Sequence, residues 1–427
     1  MRFTPWIIPL VLGGVIEVCM IGMLALGDLG AHIPIFFLFY GVAGVAYGIG
    51  VWQRTKVSLS WICFFAVLFR VTLLLTEPSL SDDIFRYIWD GRVLASGVNP
   101  YLYPPHSEFL ALLRDHVIYP YINHPDLPTI YPPVTQFFFL IAHALFGSVL
   151  GLKIMIVIAD LSVGWVLIKL LQLEKKNKEA VIIYLWHPLV VVEGAGSGHM
   201  DFLGVMGLML ALWAWQVRRD FLAISLAGAG VLTKFLPLVL IPTLVRWSPR
   251  WFPTNWKALL LLPMVVLVGY TPFMVMDGPL WGSLSTYTLN WEFNSPLFWI
   301  LQTYLGDGFV ARKVIGGLFG VLILAVTLRR VPPLQAGFII MAGFTLLTPT
   351  LHPWYLIWLI PFLVFNPQLP WIGFSLVVIL AYEVLIGYRT NAVWEESTWV
   401  WATEFGTLLV LACVARLGRR RSGYCIS

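Results

Sequence analysis

Charged residues are scarce in this sequence. Asp, Glu, Lys and Arg together make up 11% of the 427 residues, whereas 59% are hydrophobic. The apolar residues form repeated runs long enough to cross the hydrocarbon layer of a membrane. These runs show no alternation of period two, which disfavours the strands of a membrane barrel. We therefore expect an all-α polytopic membrane protein.

Cysteines are also few, and none lies in a polar loop. The four of them fall in presumed spans or in the C-terminal tail: Cys19, Cys63, Cys413 and Cys425. This placement argues against a disulfide framework and against metal-binding cysteine pairs. The glycine-rich stretch GAGSGH at 194–199 lacks the preceding strand and the Lys-Ser/Thr pair of a nucleotide-binding loop. We expect neither a cytosolic nucleotide substrate nor a nucleic acid partner.

Apolar runs predict about 13 to 14 transmembrane helices. The first run is too long for a typical secretory signal and is interpreted as a retained span. The predicted spans are 5–26, 33–52, 58–76, 151–171, 179–197, 201–217, 221–233, 235–247, 257–274, 309–329, 334–349, 353–366, 370–388 and 397–416.

Basic residues in the short connections fix the topology, because such residues concentrate on the cytoplasmic side. One face can hold all the basic connections if the run 137–150 does not cross and if 221–245 is two short helices meeting near Thr233-Lys234. Each of these halves reaches only ~20 Å, against a hydrocarbon core of roughly 30 Å. Both termini are then cytoplasmic, in the inner or plasma membrane, and Lys234 faces an outer cavity.

We expect one integral membrane domain with three parts. Residues 1–57 would supply extra N-terminal spans, 58–250 a catalytic core and 251–427 a C-terminal helical module. The large first external loop, 77–150, would contain interfacial helices. Acidic residues gather on the same outer side as this loop: Asp82, Asp83, Asp90, Asp201, Asp277, Glu292, Glu395 and Glu396.

The loop begins with SDDIFRYIWDGRVLASGVNPY, residues 81–101. Ser81 is a good N-cap, and acidic residues just after it complement the positive end of a helix starting at 82. Asp83, Arg86, Tyr87 and Asp90 then share one face of that helix. The alternative is a merely solvated helix whose two acids only stabilise its N-terminus. The Pro- and Tyr-rich segment that follows, ending in Tyr131-Pro132-Pro133, suits stacking against sugar rings as well as plain loop packing.

Four motifs in order resemble those of the GT-C superfamily of membrane glycosyltransferases. These are the stretch 81–101 followed by TIYPPVTQ, then WHPLVVVEGAGSGHMDFLGVMGLML, GAGVLTKFLPLVLIP and TPTLHPWYLIWLIPFL. The resemblance covers about residues 60–365 and is closest to bacterial polyprenol-phosphate-mannose-dependent mannosyltransferases. The resemblance implies a GT-C-like helical bundle and an inverting transfer of the sugar, catalysed by residues on the extracytoplasmic side.

An inverting transfer needs a carboxylate that takes the proton of the acceptor hydroxyl and cations that receive the leaving phosphate. Asp83 is the first choice as base, with Asp82 close behind, and Asp201 matches the second acidic position of the family. Candidate substrate and phosphate ligands are Arg86, Arg92, Lys234, His352, His199, Tyr87 and Tyr131.

Each cationic candidate also has a structural interpretation. Lys234 would pair with a carboxylate such as Glu193, and His352 would simply cap a helix. Arg86 or Arg92 would pair with Asp90 or Glu77. A lone lysine inside a span costs about 2.5 to 3.5 kcal/mol, so Lys234 needs an anionic partner of some kind. For two other intramembrane charges, Arg70 and Asp160, mutual neutralisation is favoured over a catalytic role.

No cofactor is required, although some relatives use a divalent ion, for which Asp83, Asp201 and His199 are the available ligands. The expected partners are a polyprenyl-phosphate-linked sugar, a glycan or glycolipid acceptor, and membrane lipids. Mannose is favoured by the resemblance, while the residues alone leave glucose, arabinose and an aminosugar open. The competing function is a transporter or flippase of a lipid-linked sugar, which would place polar groups through the depth of the spans.

Overall fold

The structure is a computed structural model that describes residues 7–249, 252–276 and 279–422. Within these ranges every regular element is helical, apart from two isolated bridges, so the all-α expectation is confirmed. The α-helices are α1 (Ile7–Leu26), α2 (Ile33–Trp52), α3 (Leu59–Leu74), α4 (Asp83–Ala95), α5 (Pro133–Leu145), α6 (Val149–Leu173), α7 (Ile182–Leu185), α8 (Pro188–Val191), α9 (Asp201–Gln216), α10 (Asp220–Val231), α11 (Trp256–Leu259), α12 (Leu261–Val275), α13 (Leu284–Asn290), α14 (Pro296–Leu305), α15 (Gly308–Leu328), α16 (Pro333–Leu347), α17 (Ile360–Leu363), α18 (Leu369–Val377), α19 (Val384–Asn391) and α20 (Thr398–Ser422).

Short helices of tighter or wider pitch interrupt this series. The 3-10 helices are Leu29–Ala31, Arg54–Lys56, Glu108–Leu113, Tyr119–Tyr121, Lys178–Val181, Leu236–Leu244, Pro353–Trp358 and Val378–Glu383, and one π-helical segment covers Val192–Ser197. Such segments mark places where the regular hydrogen-bond ladder is broken, and π-helical turns are frequent at functional sites.

Seven helical segments of the described residues are long and apolar enough to cross a membrane. An eighth would be the pair Lys178–Leu185 and Pro188–Ser197, which is bent by 60°. Five further apolar helices have 10 to 17 residues. The fold is therefore that of a multi-pass membrane protein, as the sequence indicates.

Proline interrupts the regular α-helix in three of the predicted spans. The run 179–197 bends at Pro188, 235–247 contains the 3-10 helix Leu236–Leu244, and 353–366 begins with the 3-10 helix Pro353–Trp358. Proline explains all three cases, because it removes a backbone donor and clashes with the preceding turn.

The predicted break near Thr233-Lys234 is confirmed. Helix α10 ends at Val231, and the chain turns before the 3-10 helix begins at Leu236. Helix α5, the predicted interfacial helix, contacts this turn directly: the Val134 amide donates to the Leu232 carbonyl at 3.0 Å, and the Thr135 hydroxyl donates to the Thr233 carbonyl at 2.8 Å. The loop 77–150 is thereby joined to the turn that carries Lys234.

Helices α4 and α5 approach each other closely at Gly91. A Cβ atom at this position would lie 2.4 Å from the carbonyl oxygen of Phe139, so only glycine fits. Tyr87 stacks on Phe139 one turn earlier in α4, with ring centroids 5.2 Å from Tyr131 and 4.8 Å from Phe139. This contact fixes the rotation of α4 about its axis relative to α5.

A buried ion pair links α3 to α6. The Arg70 guanidinium contacts both carboxylate oxygens of Asp160, its second contact being 3.2 Å long, and Tyr184 donates to the same carboxylate at 2.8 Å. Both charged side chains are fully buried. The predicted mutual neutralisation of these two charges is confirmed.

Removing one member of this pair should destabilise the fold. Asp160→Leu leaves an uncompensated buried guanidinium, and we expect the free energy of unfolding to fall by about 3–5 kcal/mol. The double variant Arg70→Met/Asp160→Leu should recover most of the loss, because apolar side chains of similar size replace both charges. Thermal unfolding of the purified variants in detergent measures this; a double variant no more stable than the single one would contradict the expectation.

Candidate active site

The site is built around the first turn of α4. The helix begins at Asp83 with Asp82 at the N-cap position, one residue later than the sequence predicts. Ser81 still contributes, because its hydroxyl accepts from the Asp83 amide at 3.3 Å. The predicted polar face is confirmed: the Tyr87 hydroxyl donates to Asp83 Oδ2 at 3.4 Å, and Arg86 Nε donates to Asp90 Oδ1 at 2.9 Å.

Asn123 bridges the two acidic side chains. Its Nδ2 donates to Asp82 Oδ1 at 2.9 Å and to Asp83 Oδ1 at 2.7 Å. Sequence reasoning missed this residue, because it lies 40 positions further along an irregular loop and carries no periodic signal. The amide holds both carboxylates in place and leaves Asp83, whose side chain is 23% exposed, open to a ligand.

Asp82 has a perturbed pKa. Asp82 reaches solvent at its surface, yet protein surrounds most of it, and this desolvation together with the Asp83 charge raises the pKa of Asp82 to about 6. The hydrogen bond from Asn123 opposes that rise. The acidic pair therefore gains a proton when the pH falls through about 6.

Removing the Asn123 amide should move this titration. In Asn123→Ala the ionised carboxylates lose a donor, so the pKa of Asp82 should rise further, by roughly 1 unit. We expect the acid limb of activity to shift upward in pH by a similar amount, because a raised carboxyl pKa keeps the proton bound to higher pH. A pH profile of turnover against wild type measures this, and an unchanged limb would show that Asn123 does not tune the pair.

His199 lies behind Asp83, on a turn that only glycine permits. Gly198 has a φ of 76°, and a Cβ there would lie 2.6 Å from Ile84 of α4. The His199 ring is 99% buried and stacks on Trp354 with centroids 4.0 Å apart. Its Nδ1 lies 3.9 Å from Asp83 Oδ2, and its Nε2 lies 3.2 Å from Glu193 Oε2.

Lys234 pairs with Asp201, so the predicted pairing of Lys234 with Glu193 is wrong. Lys234 Nζ donates to Asp201 Oδ1 at 2.6 Å, and the Trp358 indole donates to the same oxygen at 2.7 Å. The ammonium also lies over the Tyr355 ring, 4.4 Å from its centroid. Asp201 is nearly fully buried, whereas the Lys234 side chain is 28% exposed and can meet a ligand.

The two arginines of α4 belong to different networks. Arg86 pairs with Asp90, as the structural alternative predicts, and Asp90 also accepts from Thr129 and Gln136. Arg92 pairs with Asp115 at 2.5 Å and donates to the Leu113 carbonyl, so its predicted pairing with Asp90 or Glu77 is wrong. Arg92 therefore binds the irregular segment around Leu113 and Asp115.

His352 and Tyr131 border the site through aromatic contacts. The His352 ring is parallel to Trp354, with centroids 4.2 Å apart, and also stacks on Phe293. Burial lowers the pKa of His352 to about 3, so the ring is neutral at physiological pH and offers a hydrogen bond rather than a charge. The cap interpretation is wrong, because its side chain makes no capping bond to Pro353–Trp358. Tyr131 packs edge-on against Tyr87.

The proposed metal ligands do not form a metal site. Among the residues that the structure describes, no group of three His, Cys, Asp or Glu side chains could hold a metal ion. Asp201 is turned to Lys234, while Asp83 and His199 remain as a pair.

The sequence of this chain matches a known protein family. A model described as the N-terminal domain of alpha-(1->6)-mannopyranosyltransferases matches residues 7–249, more than half of the chain. The chain belongs to this mannosyltransferase family. Asp83, His199, Asp201 and Lys234 all lie inside the matched region, whereas His352 lies beyond it. The resemblance to GT-C mannosyltransferases inferred from the motifs is thus confirmed, and with it the class of membrane glycosyltransferases.

A curated relative supports the same class over a shorter stretch. GPI mannosyltransferase 1 of Gibberella zeae is 28% identical to this chain over 99 residues. The aligned stretch covers 22% of this chain and 23% of the relative, so the chain spans about a quarter of that mannosyltransferase.

Proposed function

We propose that this mannosyltransferase moves mannose from a polyprenyl-phosphate donor to a hydroxyl of a glycan or glycolipid, on the extracytoplasmic side of the membrane. The observation that carries the proposal is the partly exposed Asp83 carboxylate, held by Asn123 close to the turn that presents Lys234. Tyr355 connects the two groups, because its ring lies under Lys234 and within electrostatic reach of Asp83.

The reaction follows from these two charges. Asp83 removes the proton of the acceptor hydroxyl as its oxygen attacks the anomeric carbon of mannose, and the bond from that carbon to the phosphate oxygen breaks. The phosphate leaves with the bonding electrons and is stabilised by Lys234. The pKa of Asp82 is raised, yet Asp83 is the better placed base, because it contacts Tyr87 and faces His199.

Arg86 is the second cation available to the phosphate. Its Nε donates to Asp90 Oδ1. Arg86 also lies within electrostatic reach of Tyr131 and His124. Tyr131, which is only partly buried, would supply the aromatic surface against which a sugar ring packs, and the buried Tyr87 supports it from behind.

Stereochemistry constrains the donor. The family is named for alpha-(1->6) linkages, and a single displacement inverts the anomeric carbon. An alpha product therefore requires a donor in which mannose is beta-linked to the phosphate.

Purified protein in lipid nanodiscs tests this function. It should transfer radiolabelled mannose from beta-linked polyprenyl-phosphate-mannose, and not from GDP-mannose, to a short alpha-1,6-linked mannose oligosaccharide. NMR of the product should show a new alpha linkage. Transfer from GDP-mannose would contradict the donor, and a beta product would contradict inversion. Movement of the lipid-linked sugar across the bilayer without transfer would favour the flippase.

A further inference from the structure

Polar groups form a buried cluster behind Asp83. The reaction proposed for Asp83 gives this cluster no role. Glu193 is fully buried in the π-helical segment Val192–Ser197, and the Tyr382 hydroxyl donates to its Oε1 at 2.9 Å. Its other oxygen faces His199 Nε2 at 3.2 Å. The chain of groups therefore runs from Tyr382 through Glu193 and His199 to Asp83.

Several atoms in this cluster lack a hydrogen-bond partner. Within the described residues, Glu193 Oε2 and both ring nitrogens of His199 are buried and make no hydrogen bond of good geometry, although Glu193 Oε2 and His199 Nε2 lie only 3.2 Å apart. Unpaired buried polar atoms are costly in native proteins, and a catalytic role is one reason for which they are retained. The separation of His199 from both carboxylates is short enough for a small rotation to make either hydrogen bond.

We propose that His199 receives the proton that Asp83 takes from the acceptor, and that Glu193 is the positioning residue that makes this possible. The proposal rests on the function proposed above. The Glu193 carboxylate can only accept, so it favours the tautomer of His199 that carries its proton on Nε2. Nδ1 is then left with a lone pair facing Asp83.

The proton balance of the cycle is complete. The acceptor O–H bond breaks as the new glycosidic bond forms, and Asp83 becomes neutral. A movement of the Asp83 carboxylate by roughly 1 Å brings it within hydrogen-bond distance of His199 Nδ1. Catalytic hydrogen bonds are often this long when no substrate is bound and shorten in the substrate complex. The proton passes to His199, whose positive charge is balanced by Glu193, and Asp83 regains its charge. The proton finally leaves with the phosphate monoester or to external water.

Charged and titratable groups surround His199 on several elements, and all of them bear on its titration. They are Asp82 and Asp83 of α4, Glu193 of its own segment, His352 beside the shared Trp354, and Tyr40 and Tyr382 around Glu193. Glu193 is the nearest carboxylate to the ring, so we expect it to dominate the effect of substitution.

Glu193→Gln tests the role of Glu193. The amide keeps an acceptor for Tyr382 but removes the negative charge beside His199. We expect kcat for mannose transfer from polyprenyl-phosphate-mannose to fall about 10- to 100-fold, with KM for the donor changed less than about 2-fold. Without the carboxylate, the protonated form of His199 is less stable, so the step of the acid limb of kcat that depends on His199, as distinct from the step set by the Asp82–Asp83 pair, should move to lower pH.

Two further variants keep the test decisive. His199→Gln removes the imidazole ring that receives the proton. In this background Glu193→Gln should no longer shift the acid limb of kcat. Glu17→Gln is the matched control, because Glu17 is another carboxylate inside a span that accepts from Thr72, far from α4 in the chain. It should leave kcat and the pH profile unchanged.

The outcomes separate this inference from the function on which it rests. If Glu193→Gln folds, as thermal unfolding in detergent reports, and keeps the wild-type acid limb, the relay is wrong even though transfer by Asp83 stands. If Glu193→Gln does not fold, His199→Gln alone decides, since wild-type kcat in that variant would equally overturn the relay. Full activity of Asp83→Asn would instead overturn the proposed base itself.

Discussion

Asp83→Asn should lower mannosyl transfer about 10²- to 10⁴-fold, while the protein folds and inserts normally. The amide has nearly the same shape: its oxygen can still accept from Asn123 and its NH2 group can donate to the Tyr87 hydroxyl oxygen, but it cannot take the acceptor proton. The loss should appear in kcat rather than in KM for the donor. Turnover with polyprenyl-phosphate-mannose at matched protein levels measures it.

Two other substitutions in the same loop serve as comparisons. Asp82→Asn should cost less than Asp83→Asn, because Asp82 is on the solvent side of the pair and shares only the Asn123 contact. Asp126→Asn should have no effect, since its side chain is 78% exposed and pairs with His106. A larger loss in Asp82→Asn than in Asp83→Asn would reverse the assignment of the base.

Lys234→Met should lower kcat/KM for the lipid-linked donor about 10²- to 10³-fold, comparable to the loss of one group that stabilises developing charge. The same change leaves Asp201 buried without its cation, so the protein should also be less stable, by about 1–3 kcal/mol. The two effects need to be separated, because a lysine that serves only to neutralise Asp201 would also be sensitive to replacement.

The double variant Lys234→Met/Asp201→Asn separates them. It removes both charges, and the Asn amide oxygen can still accept from Trp358. Thermal stability should return toward the wild-type value, whereas transfer should stay low, because no cation meets the phosphate. Recovery of both stability and transfer would show that Lys234 is only the counter-ion of Asp201.

Sequence predicted best what depends on local spacing. The polar face of α4 follows from helical periodicity, and the structure confirms the contacts of Tyr87 with Asp83 and of Arg86 with Asp90. The break near Thr233 followed from the length of the apolar run and the need to keep basic residues on one side. The sequence also predicts the ion pair of Arg70 with Asp160, because isolated charges inside membrane spans need partners.

What the sequence could not predict depends on the tertiary arrangement. Lys234 had several buried carboxylates as possible partners, and the way α9 and α10 pack selects Asp201 rather than Glu193. Asn123 and Asp115 lie in an irregular loop, where spacing carries no information about which side chains meet. Hydropathy alone predicts an ordinary span at Leu236–Leu244, whereas the prolines of this segment favour the 3-10 helix that the structure shows.

The most direct test of this account uses sealed, right-side-out membrane vesicles that contain the protein and beta-linked polyprenyl-phosphate-[³H]mannose. A water-soluble, membrane-impermeant mannose oligosaccharide is supplied only outside. The account predicts labelled oligosaccharide from wild-type vesicles without permeabilisation, and almost none from Asp83→Asn vesicles. Product that forms only after the vesicles are opened, or equally in both samples, would contradict an outward-facing site that works through Asp83.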